Sequence, residues 1–452
     1  MNPILHQPSI SPAVADVVTP LLAHQDGSAA VPKAQPRLRR ADREVVVPAM
    51  RLEDLLTPEH HARTVWRFVE GLDLTSLLDA IHAVEGGPGR PATDPRILMA
   101  VWLYATVEGV GSARALDWLC VHHHGFRWLC GGVSVNYHSL ADFRVAHLEF
   151  LDELLTSSVA VLMAENLVDL NRVAQDGMRV RASAGAASFR RRPTLEHCLE
   201  EAQAQVQRLR VELETDPAAA NRRQHQARER AAREREERIR QALARMPELE
   251  AKKKAEDKGK ARVSTTDAEA TVMKMADGGF RPAYNFQFST TTSSQIIVAV
   301  DVTTSGSDQG QMTPQVQQIQ ERYGQPPKEV LIDGGFAAHA DMESVSAPER
   351  GCTVYAPVPQ PKKAGVDRYA PHAGDGPAVA EWRRRMATSA AQQIYKDRAA
   401  TAECVNALAR QRGLRQLSVR GRLKAKAIAL WYAIAHNLLR AVSLRAALAG
   451  VG

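Results

Sequence analysis

Aromatic side chains make up only 5% of this 452-residue chain, and there are just five cysteines. Cys120, Cys130, Cys198, Cys352 and Cys404 are too few and too scattered for a disulfide framework, which fits a reducing compartment. No run of 18 or more apolar residues occurs, and Met1 to Ser28 lacks a basic start followed by a compact apolar block. The expectation is a cytoplasmic protein with neither a membrane span nor a secretory signal. Gly-x4-Gly-Lys-Ser/Thr is also missing, so nucleotide dependence is not indicated. What is present, 44% apolar and 24% charged residues, suffices for two or three domains with packed cores, and it carries a formal net charge of +7.

That charge is concentrated. Between Arg190 and Arg262 there are 20 lysines and arginines against 14 acids, a net of +6, so only +1 remains for the rest of the chain. Such a segment cannot build a globular core by itself. Leu195, Leu199, Ala202, Val206, Leu209 and Leu213 follow one another at spacings of four and three, a heptad seam that predicts a coiled-coil strand. Asp216-Pro217 ends it, and a weaker seam at Ala232, Ile239, Leu243 and Met246 would return antiparallel. A solvated structural arm and an arm that touches DNA phosphates are both open on this evidence.

Residues 1–48, with Pro20, Pro32, Pro36 and a basic cluster at Arg37, Arg39 and Arg40, read as a disordered tail. Helical periodicity then dominates. Thr57-Pro58-Glu59, Thr93-Asp94-Pro95, Ser112 and Ser139 each look like a helix start, which predicts an all-α domain over 49–165. After Asn166 the pattern changes. Leu167 to Ala174 reads as a strand ending in a turn at Gln175-Asp176-Gly177, and Tyr284 to Ser289 with Ile296 to Val302 as a hairpin across a polar turn. A helix near Met312 to Arg322, strands at Val330 to Ile332 and Val354 to Pro357, and two C-terminal helices (Ser389 to Arg412, Lys424 to Leu448) complete a mixed α/β domain. It spans 166–189 and 263–452, with 190–262 as a helical insertion that must leave and return near one point.

Two carboxylates directly follow short apolar strands, Asp176 in Val173-Ala174-Gln175-Asp176-Gly177 and Asp333 in Val330-Leu331-Ile332-Asp333-Gly334-Gly335-Phe336. Strand ends are where α/β sheets place reactive groups, although a strand-Asp-Gly turn is more often only a turn. Asp277-Gly278-Gly279-Phe280 repeats the second motif after Met273-Lys274-Met275-Ala276, which is no convincing strand, so Asp277 reads as a turn residue. A third acid, Glu403, lies seven residues after Lys396 and seven before Arg410, with Tyr395 at hand. On a continuous α-helix seven steps return to within about 20° of the starting direction, placing one acid between two bases. That is either a solvated ion-pair face or a phosphodiester-handling one, with acids for metal and bases and a phenol for phosphate.

Taken in order, Asp176-Gly177, Asp333-Gly334-Gly335-Phe336 and Tyr395-x2-Arg398-x4-Glu403-x6-Arg410 resemble the catalytic signature of bacterial insertion-sequence DDE transposases with an RNase H-like domain. Gly89-Arg90-Pro91-Ala92-Thr93-Asp94-Pro95 and Tyr137-His138-Ser139-Leu140-Ala141-Asp142-Phe143-Arg144 are similar to that family's N-terminal helical domain, and Tyr284-Asn285, Arg420-Gly421 and His436-Asn437 to further landmarks. The resemblance implies an RNase H-like mixed sheet with flanking helices after a helical DNA-binding domain. It implies that Asp176, Asp333 and Glu403 are catalytic and bind two Mg²⁺ ions, for which Mn²⁺ would substitute, and that Tyr395, Lys396, Arg398 and Arg410 hold DNA phosphates. The implied reaction is hydrolysis at the ends of a mobile element followed by joining of its 3′ ends to target DNA. Double-stranded DNA, as terminal inverted repeats and target, and a second copy of the chain are the implied partners. A catalytically silent descendant that only binds DNA is the alternative. Two departures stand out: Arg410 occupies a position commonly held by lysine, and Arg398 lies one residue farther from the glutamate than in many relatives.

Other features read more blandly. Cys120-x-His122-His123-His124-x5-Cys130 lacks the paired spacing of a zinc site. Ser112 to Arg144 is equally a helix-turn-helix or a structural bundle. His436-Asn437 is expected to pack or cap inside the last helix.

Overall fold

The structure, a computed structural model, describes residues 51–81, 91–215, 222–361 and 365–450. The 1–48 tail, Gly89-Arg90 and the Asp216-Pro217 break lie outside the described residues, as does the side chain of Leu213.

Among the described residues, seven α-helices come first: α1 (His61–Glu70), α2 (Thr75–Asp79), α3 (Pro95–Val107), α4 (Ala113–His122), α5 (His124–Cys130), α6 (Tyr137–Ala146) and α7 (Leu148–Ala164). Capping chemistry sets most starts. Asp94 accepts from the Arg96 amide with Pro95 at the first helical position, and Ser112 caps α4. Two starts differ from expectation. His60, not Thr57, caps α1 through Nδ1, and Asn136, not Ser139, caps α6, because each presents a side-chain acceptor to the first free amides. Helix α3 is apolar almost all round and is buried on every face, with the Trp102 indole donating to the Leu140 carbonyl at 2.9 Å.

The sheet is mixed, in the order β4 (Thr271–Lys274), β5 (Phe280–Thr291), β1 (Arg172–Arg181), β7 (Glu329–Leu331) and β8 (Thr353–Tyr355), with β6 (Ile297–Thr303) also paired to β5. β1 runs antiparallel to β5 and parallel to β7. Two sequence expectations are corrected here. β1 does not stop before Asp176; it continues to Arg181 because all nine residues from Val173 onward find partners on the long strand β5. Thr271–Lys274, unconvincing by composition, forms an edge strand on β5, with Asp277 at the exposed turn between them bonded to the Gly279 amide and to Arg281. Helices α10 (Met312–Tyr323), α11 (His339–Ser346), α12 (Pro377–Met386), α13 (Ser389–Tyr395), α14 (Cys404–Gln411) and α15 (Arg422–Ala449) flank the sheet. α11 and α12 had no counterpart in the sequence reading, and the single helix expected from Ser389 to Arg412 is in fact two.

Between β2 (Phe189–Arg190) and β3 (Val263–Ser264), α8 (Arg192–Thr215) and α9 (Arg222–Ala251) form the arm. The two-stranded ribbon brings departure and return together. The helices are antiparallel, since ion pairs join Arg192 to Glu250, Glu201 to Arg235 and Arg210 to Glu229. Leu195, Ala202 and Val206 are buried, and so are Ala232, Ile239, Ala242 and Met246 from the returning helix.

Helix α15 is the spine. Its apolar stretch, of mean hydropathy 1.3, is long enough to cross a membrane, yet 72% of it is buried inside the protein. It packs on α3, α7 and β6. His436 and Asn437 do pack within it: His436 Nε2 bonds the Gln295 carbonyl at 2.9 Å, and the Asn437 amide pairs with both N–H and C=O of Ile297 at 2.8 Å. Burial pushes the His436 imidazole down to about 4. Because the folded protein prefers the neutral ring, the stability this gives is full above the ordinary value near 6.5 and is lost as pH falls toward 4. Chemical denaturation between pH 7 and pH 4 is expected to show a loss of about 3 kcal/mol from this group. His436→Asn should remove most of that pH dependence, and an unaltered slope would assign it elsewhere.

Candidate active site

Asp176 stands in the middle of β1, and its neighbour explains why the strand holds it still. A Cβ on Gly177 would lie 2.3 Å from Asp308 Oδ1 and 2.6 Å from Gln287 Nε2, so only glycine fits. Those atoms belong to a buried polar cluster. Asp308 accepts from Asn285 at 2.6 Å and Gln287 at 3.0 Å and pairs with Arg179 at 2.7 Å, while Gln175 donates to Gln287 and to the Gln311 carbonyl. The cluster locks β1 to β5 behind the acid.

Asp333 immediately follows β7, the parallel neighbour of β1. Its Oδ1 accepts the Gly335 amide at 2.8 Å, a tight turn secured by Phe336, which is fully buried. The third acid comes from the helical side. Between α13 and α14 the chain makes one π-helical turn over Ala399–Glu403. It is tied to the sheet by Arg172 at the start of β1, which pairs with Glu329 of β7 at 2.5 Å and Asp397 at 2.6 Å. Gln295 also donates to the Ala400 carbonyl.

Arg398 joins these elements. Its Nη2 lies 3.1 Å from Asp176 Oδ1 and 3.8 Å from Asp333 Oδ2, and its Nη1 is 3.2 Å from Glu403 Oε1. The π-turn answers the spacing departure seen in the sequence. Five residues apart on an α-helix, Arg398 and Glu403 would point about 140° apart, whereas a turn with i to i+5 bonding brings them to one face. Burial works against the charge of Arg398, but the surrounding carboxylates and Tyr395 hold it above the ordinary arginine value. Burial likewise raises Asp176; the Arg398 charge opposes that rise and the Asp333 charge adds to it.

The structure therefore brings Asp176, Asp333, Glu403 and Arg398 together, with the half-buried Tyr395 beside them and its phenol raised, chiefly by burial. It does not bring in the other two bases. Lys396 is exposed and bonds Gln393, and Arg410 is exposed on α14, beside the buried Ala409. The seven-residue arithmetic that aligned Lys396 with Glu403 assumed an unbroken α-helix, which the π-turn interrupts. Asn406 was missed by the sequence reading. It is buried three residues after Glu403, and its Nδ2 donates to Asp176 Oδ2 at 2.9 Å. Helical spacing from Glu403 was the signal that would have found it.

The donor set is all carboxylate oxygen, the chemistry suited to a hard divalent cation. Asn406 Oδ1 and Arg398 Nε are buried without a hydrogen-bond partner among the described residues, so the site holds polar capacity it does not use internally. As placed, however, the acids are spaced around a guanidinium, and no three acidic, histidine or cysteine side chains among the described residues are close enough to enclose one ion. The Cys120 to Cys130 histidines serve locally, His122 stacking on Trp118 at 4.3 Å and His123 capping α5.

Residues 50–146, which cover α1 to α6, match the model of a family described as Transposase domain (DUF772). No curated protein and no solved structure matches the chain.

The balance at Asp176 can be measured directly. With Arg398→Gln the carboxyl loses its cation, so its NMR titration midpoint should move up, while Arg398→Lys should leave it nearer the unaltered value. An unmoved midpoint in Arg398→Gln would show that the guanidinium does not govern this acid.

Proposed function

We propose that this chain, which belongs by its transposase domain over residues 50–146 to the insertion-sequence transposases, cuts DNA at the ends of its element and joins the 3′ ends to target DNA. The observation that carries the reading is the meeting of three carboxylates, from a strand centre, a strand end and a helix turn, at one guanidinium. The parallel β1–β7 pair with β5 antiparallel to β1, and helices on the sheet, support an RNase H-like catalytic domain.

Asp176, Asp333 and Glu403 would hold Mg²⁺, two ions in the full reading, with Mn²⁺ able to substitute. When bound, such ions supply Lewis acidity for phosphodiester cleavage and a hydroxyl nucleophile near neutral pH. The residues of the chain do the rest. Asn406 orients Asp176 by engaging Oδ2, while Oδ1 faces Arg398 and accepts the Gly177 amide. Arg398, free to exchange carboxylates for phosphate oxygens, grips the scissile strand bidentately, and Tyr395 flanks it. Arg410, exposed on α14, reaches outward to a neighbouring phosphate. Protons released by the attacking hydroxyl pass to solvent or to a carboxylate at the open side, where Glu403 is 61% exposed. Joining requires the same phosphodiester chemistry with a DNA 3′-hydroxyl in place of water, so one site serves both steps, with a second copy of the chain to bring two ends together.

Incubation with Mg²⁺ and DNA bearing the element's ends tests this. Nicking at the ends is expected, and Asp176→Asn, Asp333→Asn or Glu403→Gln should each reduce it by roughly 10³-fold, the several kcal/mol such a metal site contributes. Absence of nicking by the unaltered protein, or equal nicking by the three variants, would sink the catalytic reading and leave a DNA-binding transposase descendant.

A further inference from the structure

Between α9 of the arm and the turn that opens α15 lies an open groove of about 1250 Å³. Its floor is fixed. Asp267 accepts the Tyr284 phenol at 2.7 Å and the Gly421 amide at 3.3 Å, joining the sheet to the turn. The arm wall is fixed too, since the Arg245 guanidinium donates to the Ala268 carbonyl and to Thr271 Oγ1 at 3.2 Å. The groove is thus a preformed channel between two anchored elements, far larger than one small anion needs.

Its charges are unevenly satisfied. Of the acids along it, Glu269 accepts the Arg422 amide at 2.8 Å, Glu248 pairs with Lys252 at 2.6 Å, Glu237 accepts from Gln241 at 3.0 Å, Glu234 lies 3.8 Å from Arg238, and Asp267 is bonded through Oδ1. The cations of the turn are not so engaged. Arg420, Arg422 and Lys424 have no acid within ion-pair distance among the described residues, and all three line the groove. Across from them stands Arg238, whose one ion pair among the described residues, to Glu234, is long at 3.8 Å. Arg238 is held below the ordinary arginine value first by burial and next by the charge of Arg420. Like charges facing one another across a channel are costly until a polyanion lies between them.

We propose that this groove holds a stretch of DNA phosphate backbone, separate from the acid site, with Arg238, Arg420, Arg422 and Lys424 as its contacts. The proposal rests on the reading of the chain as a DNA-processing enzyme. The topology makes one duplex able to meet both places. Tyr284, which bonds the groove floor, pairs with Val180, four residues beyond Asp176 on β1, roughly 13 Å along the strand. That is about four base pairs of rise along a duplex axis. DNA engaged at the acids would continue between body and arm, and the arm would act as a clamp.

The test uses the full chain and a short, random-sequence, fluorescein-labelled duplex, with anisotropy read over a KCl series in the absence of Mg²⁺. At ~0.9 per phosphate contact, the combined Arg420→Gln, Arg422→Gln and Lys424→Gln variant should lower the slope of log K against log salt by roughly 2 to 3. With Lys424 kept, Arg420→Lys and Arg422→Lys together should retain the unaltered slope. Arg238→Gln, on the exposed arm, tests the opposite wall without touching the turn and should lower the slope by about 1. Arg445→Gln, remote from the groove, should leave it unchanged. If the unaltered protein binds and the glutamine variants, folded by circular dichroism, bind with the same affinity and slope, the groove is not a DNA site although the functional reading stands. If the unaltered protein binds no duplex at all, that reading falls and the groove with it.

Discussion

Everything at the candidate site turns on one guanidinium. Three carboxylates from three separate parts of the chain repel one another wherever the fold draws them toward one place. Arg398 supplies the counter-charge from within the fold, buried to 7% exposure where it touches all three. The surrounding architecture serves that placement. The polar cluster behind Gly177 fixes Asp176, the Phe336 anchor fixes Asp333, and the Arg172 clamp fixes the turn that carries Arg398 and Glu403. A cation arriving from solution must compete with the guanidinium rather than fill a vacant hole.

Much of this was legible in the sequence because the acids sit beside strong local signals. Asp333 follows a short β-branched run and precedes Gly-Gly-Phe, and the structure shows a strand, a tight turn and a buried phenyl there. Asp176 was found for a partly wrong reason. Composition suggested a strand ending at the Asp-Gly pair, but the length of a strand is decided by its partner, and β5 extends far enough to carry β1 past it. The helix from Ser389 failed for a similar cause. Residue periodicity cannot reveal a one-residue change of helical pitch, and only the odd spacing of Arg398 and Glu403 hinted at it. Asn406, three residues after Glu403, carried only that spacing as a signal, and an asparagine within a helix is ordinarily unremarkable until a buried carboxylate is found opposite.

The charge distribution also acquires a different meaning once the arm is in place. Several of its basic residues face acids of the same hairpin, in i,i+4 pairs such as Arg240 with Glu236 and in cross-helix pairs such as Arg192 with Glu250. These pairs hold the two helices together, and the arm's net +6 is what remains beyond them. Unpaired basic character appears also at the Arg420 to Lys424 turn, which composition assigned to the nearly neutral remainder.

The Asn437 amide on Ile297 belongs to a wider pattern along β6. Tyr323 donates to the Val298 carbonyl at 2.9 Å, and Gln318 accepts the Val300 amide at 2.8 Å, so side chains from α10 and α15 occupy the backbone positions a further strand would take. An unprotected strand edge invites pairing with another chain. Here, adding a strand would forfeit several side-chain bonds, each worth about 1 kcal/mol net. These bonds cap the outer side of β6, so a further strand could add there only by displacing side chains of the protein itself.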